Sequence, residues 1–220
     1  FQDEFDTNLI KIMFGADEDL LRQTEYAQPA IFALQMALVE ELRHRGVTPA
    51  AVMGYSLGEY TAACIADALP LEEMTKLVGR RGALFQSLPD GGAMLSLRAP
   101  AEWIVHALSG QDKHLAIAAR LSPEMQVIAG DGDAIEQLRT RAVEQGFSAR
   151  PLPVSHAFHS PLLDPILPAL GELCRAAGLH PLKLPLVSNL DGSMREAGTV
   201  LDADHWVRHS REPVEFFQAI

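Results

Sequence analysis

Positive charge, cysteine and long apolar runs are all scarce in this chain of 220 residues. Lys and Arg total 18 against 29 Asp and Glu, a net charge of −11. That balance argues against nucleic acid as a partner, because binding a phosphate backbone needs a basic face. Two cysteines, Cys64 and Cys174, make neither a disulfide framework nor a zinc spacing; they fit a reducing, cytoplasmic setting, and no metal is expected. No apolar run approaches the ~18 residues of a membrane span, so no membrane partner is expected. The start, Phe1-Gln2-Asp3-Glu4-Phe5, lacks a methionine and a signal-peptide pattern, and reads as an internal piece of something longer. What is present is globular: 48% hydrophobic and 21% charged residues exclude a disordered, collagenous or coiled-coil chain and suffice for a sizeable core.

After a mixed, charged stretch over residues 1–26, Ile31, Leu34, Ala37, Leu38 and Leu42 recur at helical spacing. Pro29 suits the first turn of that helix and Gly46 its end. A short apolar run, Ala50–Met53, precedes Gly54-Tyr55-Ser56-Leu57-Gly58 and a second helix through Ala62 and Ile65; helix, strand, tight turn and helix in that order predict an α/β fold. A third helix is expected over about Leu71–Leu88. Beyond the Pro89-Asp90-Gly91-Gly92 turn the pattern predicts strand Ala93–Leu97, helix Ala101–Leu108, strands Leu115–Ala119 and Met125–Ala129, a helix capped by Asp131 or Asp133, and strand Ala149–Pro153. This β-α-β-β-α-β order is a ferredoxin-like unit. It divides the chain into a large part, residues 1–92 and 154–220, and an inserted small part, residues 93–153. A helix over Pro161–Ala177, a strand over Leu184–Ser188 with a turn at Asn189-Asp191-Gly192, and a helix from Trp206 broken before Pro213 complete the reading.

Gly-x-Ser-x-Gly between a strand and a helix is the pattern of a nucleophile elbow. Small residues on either side of Ser56 let the chain turn sharply, and the hydroxyl then stands at a helix N-terminus, where free N–H groups favour developing negative charge. The N–H of Leu57, the residue after the nucleophile, would donate to an oxyanion. A serine needs a base. Of eight histidines, His156 and His159 are candidates because they share the segment Ser155–Ser160 beside the crossover between the two parts; spacing alone leaves both open. No aspartate or glutamate stands out as the group that orients the base. Arg81, in the middle of an apolar helical pattern, offers a fork for a carboxylate, although by pattern alone it reads as a surface arginine.

Gly54–Tyr60, Arg80-Arg81-Gly82 with Phe85-Gln86, Gly91–Met94, and Val154–Pro161 together resemble the acyltransferase domain of modular polyketide synthases, a family similar to malonyl-CoA:acyl-carrier-protein transacylases. The resemblance extends from Tyr26-Ala27-Gln28-Pro29 to Arg211-Glu212-Pro213-Val214. It implies an α/β-hydrolase-like large subdomain with an inserted ferredoxin-like β-α-β-β-α-β subdomain, the family's opening strand and glutamine-bearing loop lying before Phe1. By the same resemblance Ser56 is the nucleophile and His159 the catalytic base. Arg81 binds the substrate carboxylate, His156 and Phe158 belong to the stretch tied to substrate choice, and the backbone carbonyl of His209 steadies the base. Tyr55 replaces the histidine that most relatives carry before the serine, and bears on pocket shape. The implied reaction is ping-pong: an acyl group, by the His156–His159 stretch malonyl, passes from its CoA thioester to Ser56 and then to the phosphopantetheine thiol of an acyl carrier protein. No bound cofactor is implied, and ketosynthase and linker domains are the implied neighbours. Two other readings compete: a patatin-like Ser-Asp lipid acyl hydrolase, using Asp90 or Asp191, and a non-catalytic docking domain.

Overall fold

Two sheets divide the chain, and the segment between them carries the histidines singled out above. A computed structural model describes residues 8–15, 18–111 and 113–220. The elements in order are α1 (Leu9–Phe14), α2 (Glu18–Arg22), α3 (Thr24–His44), β1 (Val52–Met53), α4 (Gly58–Ile65), α5 (Leu71–Gln86), β2 (Gly92–Arg98), α6 (Ala101–Leu108), β3 (Leu115–Ser122), β4 (Met125–Asp131), α7 (Gly132–Glu144) and β5 (Ser148–Pro151). A 3-10 helix (Pro161–Ile166) leads into α8 (Leu167–Ala176), followed by β6 (Leu186–Val187), β7 (Met194–Arg195), α9 (Ala203–Arg211) and α10 (Phe216–Ala219).

β1 pairs in parallel with β6, which pairs antiparallel with β7. Around this small sheet α3, α4, α5, α8 and α9 enclose a core that contains Tyr60, Phe85, Met74, Leu163, Leu186 and Trp206. The second sheet is antiparallel, in the order β3-β4-β2-β5. With α6 and α7 against one face, over Leu95, Leu97, Ile104, Ile128 and Leu138, it has the ferredoxin-like arrangement. Asp131 is the cap of α7, accepting the Ala134 N–H at 3.1 Å, as its side chain and position predict. The opposite face, through Met94, Ala118 and Val127, packs on Ala157 and Val214 of the large part. There the strap after α9 extends the sheet edge. Val214 N–H donates to Ala118 O and Arg120 N–H to Val214 O, both at 2.9 Å, and Arg120 pairs with Glu215.

Three expectations are corrected. α3 begins at Thr24, so Pro29 lies inside it and not in its first turn. Its buried face is Gln28, Phe32 and Met36, whereas Ile31, Leu34, Leu38 and Leu42 are about half exposed; the helix is apolar on two sides, and periodicity selects the wrong one. The segment after Ser160 is not one α-helix: Pro165 and Pro168 remove N–H donors, and the first turns are 3-10. α9 starts three residues before Trp206, where Asp202 accepts the His205 N–H at 2.9 Å.

Candidate active site

The turn between β1 and α4 puts Ser56 at a backbone φ of +48°. A non-glycine residue in the left-handed region costs roughly 1–3 kcal/mol and persists only where its surroundings hold it. Gly54 makes the turn possible: a Cβ there would overlap the backbone of Gly58 and Glu59. Gly58 is not under the same constraint, since a Cβ would meet only the flexible end of Gln35 at 3.7 Å. The N–H groups of Gly58, Glu59 and Tyr60 are taken by Tyr55, Ser56 and Leu57 carbonyls. The Leu57 N–H has no acceptor among the described residues, and it lies at the start of α4.

Ser56 Oγ lies 2.7 Å from His159 Nε2. The other ring nitrogen, Nδ1, is 3.0 Å from the Glu212 carbonyl oxygen. A carbonyl only accepts, so Nδ1 carries the proton and Nε2 presents its lone pair to the serine hydroxyl. The histidine therefore needs no carboxylate to fix its tautomer. The carbonyl expected at His209 is found mainly at Glu212, the extended residue that ends α9. The His209 carbonyl acts on the ring in the same direction, more weakly. Burial, then the Arg81 cation, hold the His159 pKa down to about 4, against the pull of these two carbonyls. His159 is neutral at pH 7.

Arg81 is 3% exposed, which corrects its reading as a surface residue. α5 turns it inward beneath Phe85, whose ring centroid is 4.1 Å from the guanidinium carbon, with Tyr60 at 5.0 Å. Nη1 donates to Gln28 Oε1, Nε has no acceptor, and no carboxylate among the described residues pairs with the cation. Burying a cation with donors to spare is costly unless a partner is supplied. Gly82 lets α5 approach the start of α3 so closely that a Cβ would stand 3.2 Å from the Thr24 and Glu25 carbonyl oxygens. That contact brings Gln28 to Arg81.

Ser56, Leu57, Arg81, Gln28, Thr24 and Phe158 line one cavity of about 320 Å³. Phe158 forms part of its wall and packs against Phe85 with centroids 5.8 Å apart. His156 does not reach this cavity. It is buried, accepts from Ser155 Oγ at 2.8 Å, donates to the Leu88 carbonyl at 3.4 Å, and borders a separate space beside Gly91 and Pro161. Its Nδ1 also lies 3.3 Å from Thr24 Oγ1, and Thr24, Ser155 and Phe158 beside it line the cavity. Tyr55 faces the other side of the turn, half exposed along an open groove with Ile31 and Met53, its ring edge against Phe216. The His209 side chain is buried between Tyr60, Trp206 and His159. Asp191 is exposed and bonded to Ser193 and Arg195, and Asp90 is an exposed turn residue; neither bonds Ser56, as a Ser-Asp dyad would require. Gln28 and Glu59 were not singled out in the sequence. Their polarity gave no sign that both are buried, although Gln28 stands one turn from an apolar face.

The profile of the acyl transferase domain family matches residues 1–220. Polyketide synthase GfsA of Streptomyces halstedii is 38% identical over 213 residues, 97% of this chain and 3% of that protein. Mycoketide-CoA synthase of Mycobacterium tuberculosis is 38% identical over 222 residues, 99% of this chain and 5% of that one. Among solved structures, the acyltransferase domain from the second module of the salinomycin polyketide synthase matches with a TM-score of 0.91 at 37% identity, over 99% of this chain and 51% of that chain. A malonyl CoA-acyl carrier protein transacylase from Clostridium perfringens matches with a TM-score of 0.88 at 28% identity, over 99% and 70%. The chain thus spans about half of the first structure and a small fraction of either synthase.

Proposed function

The chain belongs to the acyl transferase domain family, and on that premise we propose that it moves a malonyl group from its coenzyme A thioester to the phosphopantetheine thiol of an acyl carrier protein, through an ester on Ser56. The observation that carries this reading is the 2.7 Å contact of Ser56 Oγ with a neutral His159, at the edge of a cavity that also holds an unpaired buried arginine.

Nε2 of His159 takes the hydroxyl proton as Ser56 Oγ bonds to the thioester carbon. The oxyanion gathers at the Leu57 N–H, at the positive end of α4. As the carbonyl reforms, the carbon–sulfur bond breaks and the CoA sulfur leaves with the proton held on His159. In the second half the carrier thiol gives its proton to Nε2, its sulfur attacks the ester, and Ser56 recovers the proton as its oxygen departs. Arg81 holds the distal carboxylate of the acyl group by a two-pronged hydrogen bond. It gives a free carboxylate a partner that a neutral acyl chain would leave unpaired. Phe158 occupies space that an α-substituent would need. Because relatives of this chain include polyketide synthases of which it covers 3% and 10%, a carrier protein, a ketosynthase and a linker domain are its proposed neighbours, and the cytoplasm its proposed location.

Mass spectrometry of the intact protein after exposure to malonyl-CoA tests the reading. The expected result is one added malonyl group, mapped to Ser56 and absent in Ser56→Ala. An unmodified Ser56 overturns it. Equal mixtures of malonyl-CoA and methylmalonyl-CoA in the same experiment test the choice of acyl group, with malonyl expected to dominate.

A further inference from the structure

In sequence Asn189 is a turn residue: it follows β6 and opens the stretch Asn189–Gly192. A residue serving only the turn would behave like its neighbour Asp191, which is exposed and caps the turn through Ser193. Asn189 instead is 1% exposed and points back into the nucleophile turn. Its Oδ1 accepts the Ser56 N–H at 2.6 Å, and its Nδ2 donates to the Gly54 carbonyl at 2.6 Å. The orientation of the amide is dictated by its partners, because an N–H needs an acceptor and a carbonyl a donor. One carboxamide thus spans Tyr55 and ties together the two backbone groups that define the left-handed turn.

The main chain of Asn189 is equally occupied. Its N–H donates to Glu59 Oε2 at 2.7 Å. That carboxylate lies in the first turn of α4, is fully buried, and accepts a second bond from His205 Nε2 at 2.8 Å. Its carbonyl accepts the Glu215 N–H at 2.7 Å. Glu215 lies three residues beyond Glu212, whose carbonyl holds His159 Nδ1. All four polar groups of one residue are therefore spent on the turn that carries Ser56, the helix that follows it and the strap that orients His159.

We propose that Asn189 is a positioning residue that sets the register between the nucleophile turn and the strap that orients the base, holding Ser56 Oγ in line with His159 Nε2. This rests on the reading of Ser56 as the acylated nucleophile. The side-chain bonds fix the peptide planes on both sides of Tyr55. Those planes set the backbone of Ser56, from which its hydroxyl and the following Leu57 N–H project. The backbone N–H fixes the same residue to α4 through Glu59, and its carbonyl fixes it to the strap whose Glu212 carbonyl holds the imidazole, so that the turn and the strap cannot drift independently.

The experiment is rapid-quench acylation of Ser56 by malonyl-CoA in the intact protein, over a range of donor concentration, with the melting temperature of each variant recorded. Asn189→Ala removes both side-chain bonds and is expected to lower the maximal acylation rate about a hundredfold, the usual cost of a misplacement of roughly 1 Å. Asn189→Asp is isosteric. It keeps the acceptor for Ser56 N–H and loses the donor to Gly54, for an expected loss of about tenfold, and it carries the test should the alanine variant not fold. In both, the half-saturating donor concentration should stay within about twofold of wild type, the mark of a group that acts on the transition state and not on binding. A folded Asn189→Asp protein with a maximal rate within about twofold of wild type, or with a loss confined to half-saturation, overturns the assignment. Absence of Ser56 acylation in the wild type overturns the functional reading, and this proposal with it; unimpaired variants beside an acylated wild type overturn the role of Asn189 alone.

Discussion

Replacing Arg81 with glutamine removes a buried cation whose field opposes protonation of His159. In the native protein burial is the larger cause and Arg81 the next, and together they bring the imidazole from 6.5 to about 4. That fall disfavours the imidazolium by roughly 3 kcal/mol. Without Arg81 the burial remains, so the pKa rises above 4 but stays below 6.5. At pH 5, one unit above its pKa, about nine-tenths of wild-type His159 is neutral and able to accept the Ser56 proton; in Arg81→Gln the fraction is smaller. The assay is the rate of Ser56 phosphonylation by a small neutral fluorophosphonate between pH 4.5 and 8. Such a probe has no carboxylate, so it reports on His159 without engaging the guanidinium of Arg81. Wild type should be flat from pH 8 to 5, and the variant should lose rate at a higher pH. A variant whose half-loss lies at or below that of wild type refutes the reasoning. On the proposed function, a substrate carboxylate paired with Arg81 would offset the same field and make His159 more basic.

The His159 shift also predicts acid lability. The unfolded chain binds a proton at 6.5 and the native chain only near 4, so this contribution is complete above pH 6.5 and is lost as pH falls toward 4, by up to roughly 3 kcal/mol. Urea unfolding at pH 7 and pH 4.5 measures it, and His159→Gln should flatten the difference; an unchanged difference sinks the assignment. Gly54→Ala should destabilise by roughly 3 kcal/mol or more, because its Cβ overlaps backbone that cannot yield. Gly58→Ala, facing only the end of Gln35, should stay within about 1 kcal/mol of wild type, and equal melting shifts for the pair would contradict the geometry. Phe158→Ala should admit methylmalonyl-CoA, narrowing discrimination by ~1–3 kcal/mol in a competition experiment; an unchanged product ratio would show that Phe158, though in the wall, does not set the choice of acyl group.

The elements that were legible in the sequence are those in which local and tertiary demands agree. Helix Ala101–Leu108 is found at the predicted bounds, and the strands of the second sheet lie where apolar runs meet turn residues. The tight turn at Ser56 was legible because Gly54 and Ser56 answer to sterics within five residues. α3 was misread on its buried side because both of its faces are apolar, and only the neighbours decide which is covered. Arg81, Gln28, Glu59 and Asn189 are polar residues turned inward, and no periodicity separates an inward polar side chain from a solvated one. The Glu212 carbonyl leaves no trace in a list of side chains at all; its place depends on where α9 ends.

The strap from Glu212 to Phe216 has a consequence for recombination. It lies along the outer edge of β3, so the piece of backbone that aims the imidazole is stitched into the small sheet. Exchanging residues 93–153 for the corresponding unit of another acyl transferase domain would therefore graft more than a new rim onto the cavity. A donor unit whose edge strand sits differently would tilt the base itself, and such hybrids should lose turnover before they gain a new choice of acyl group.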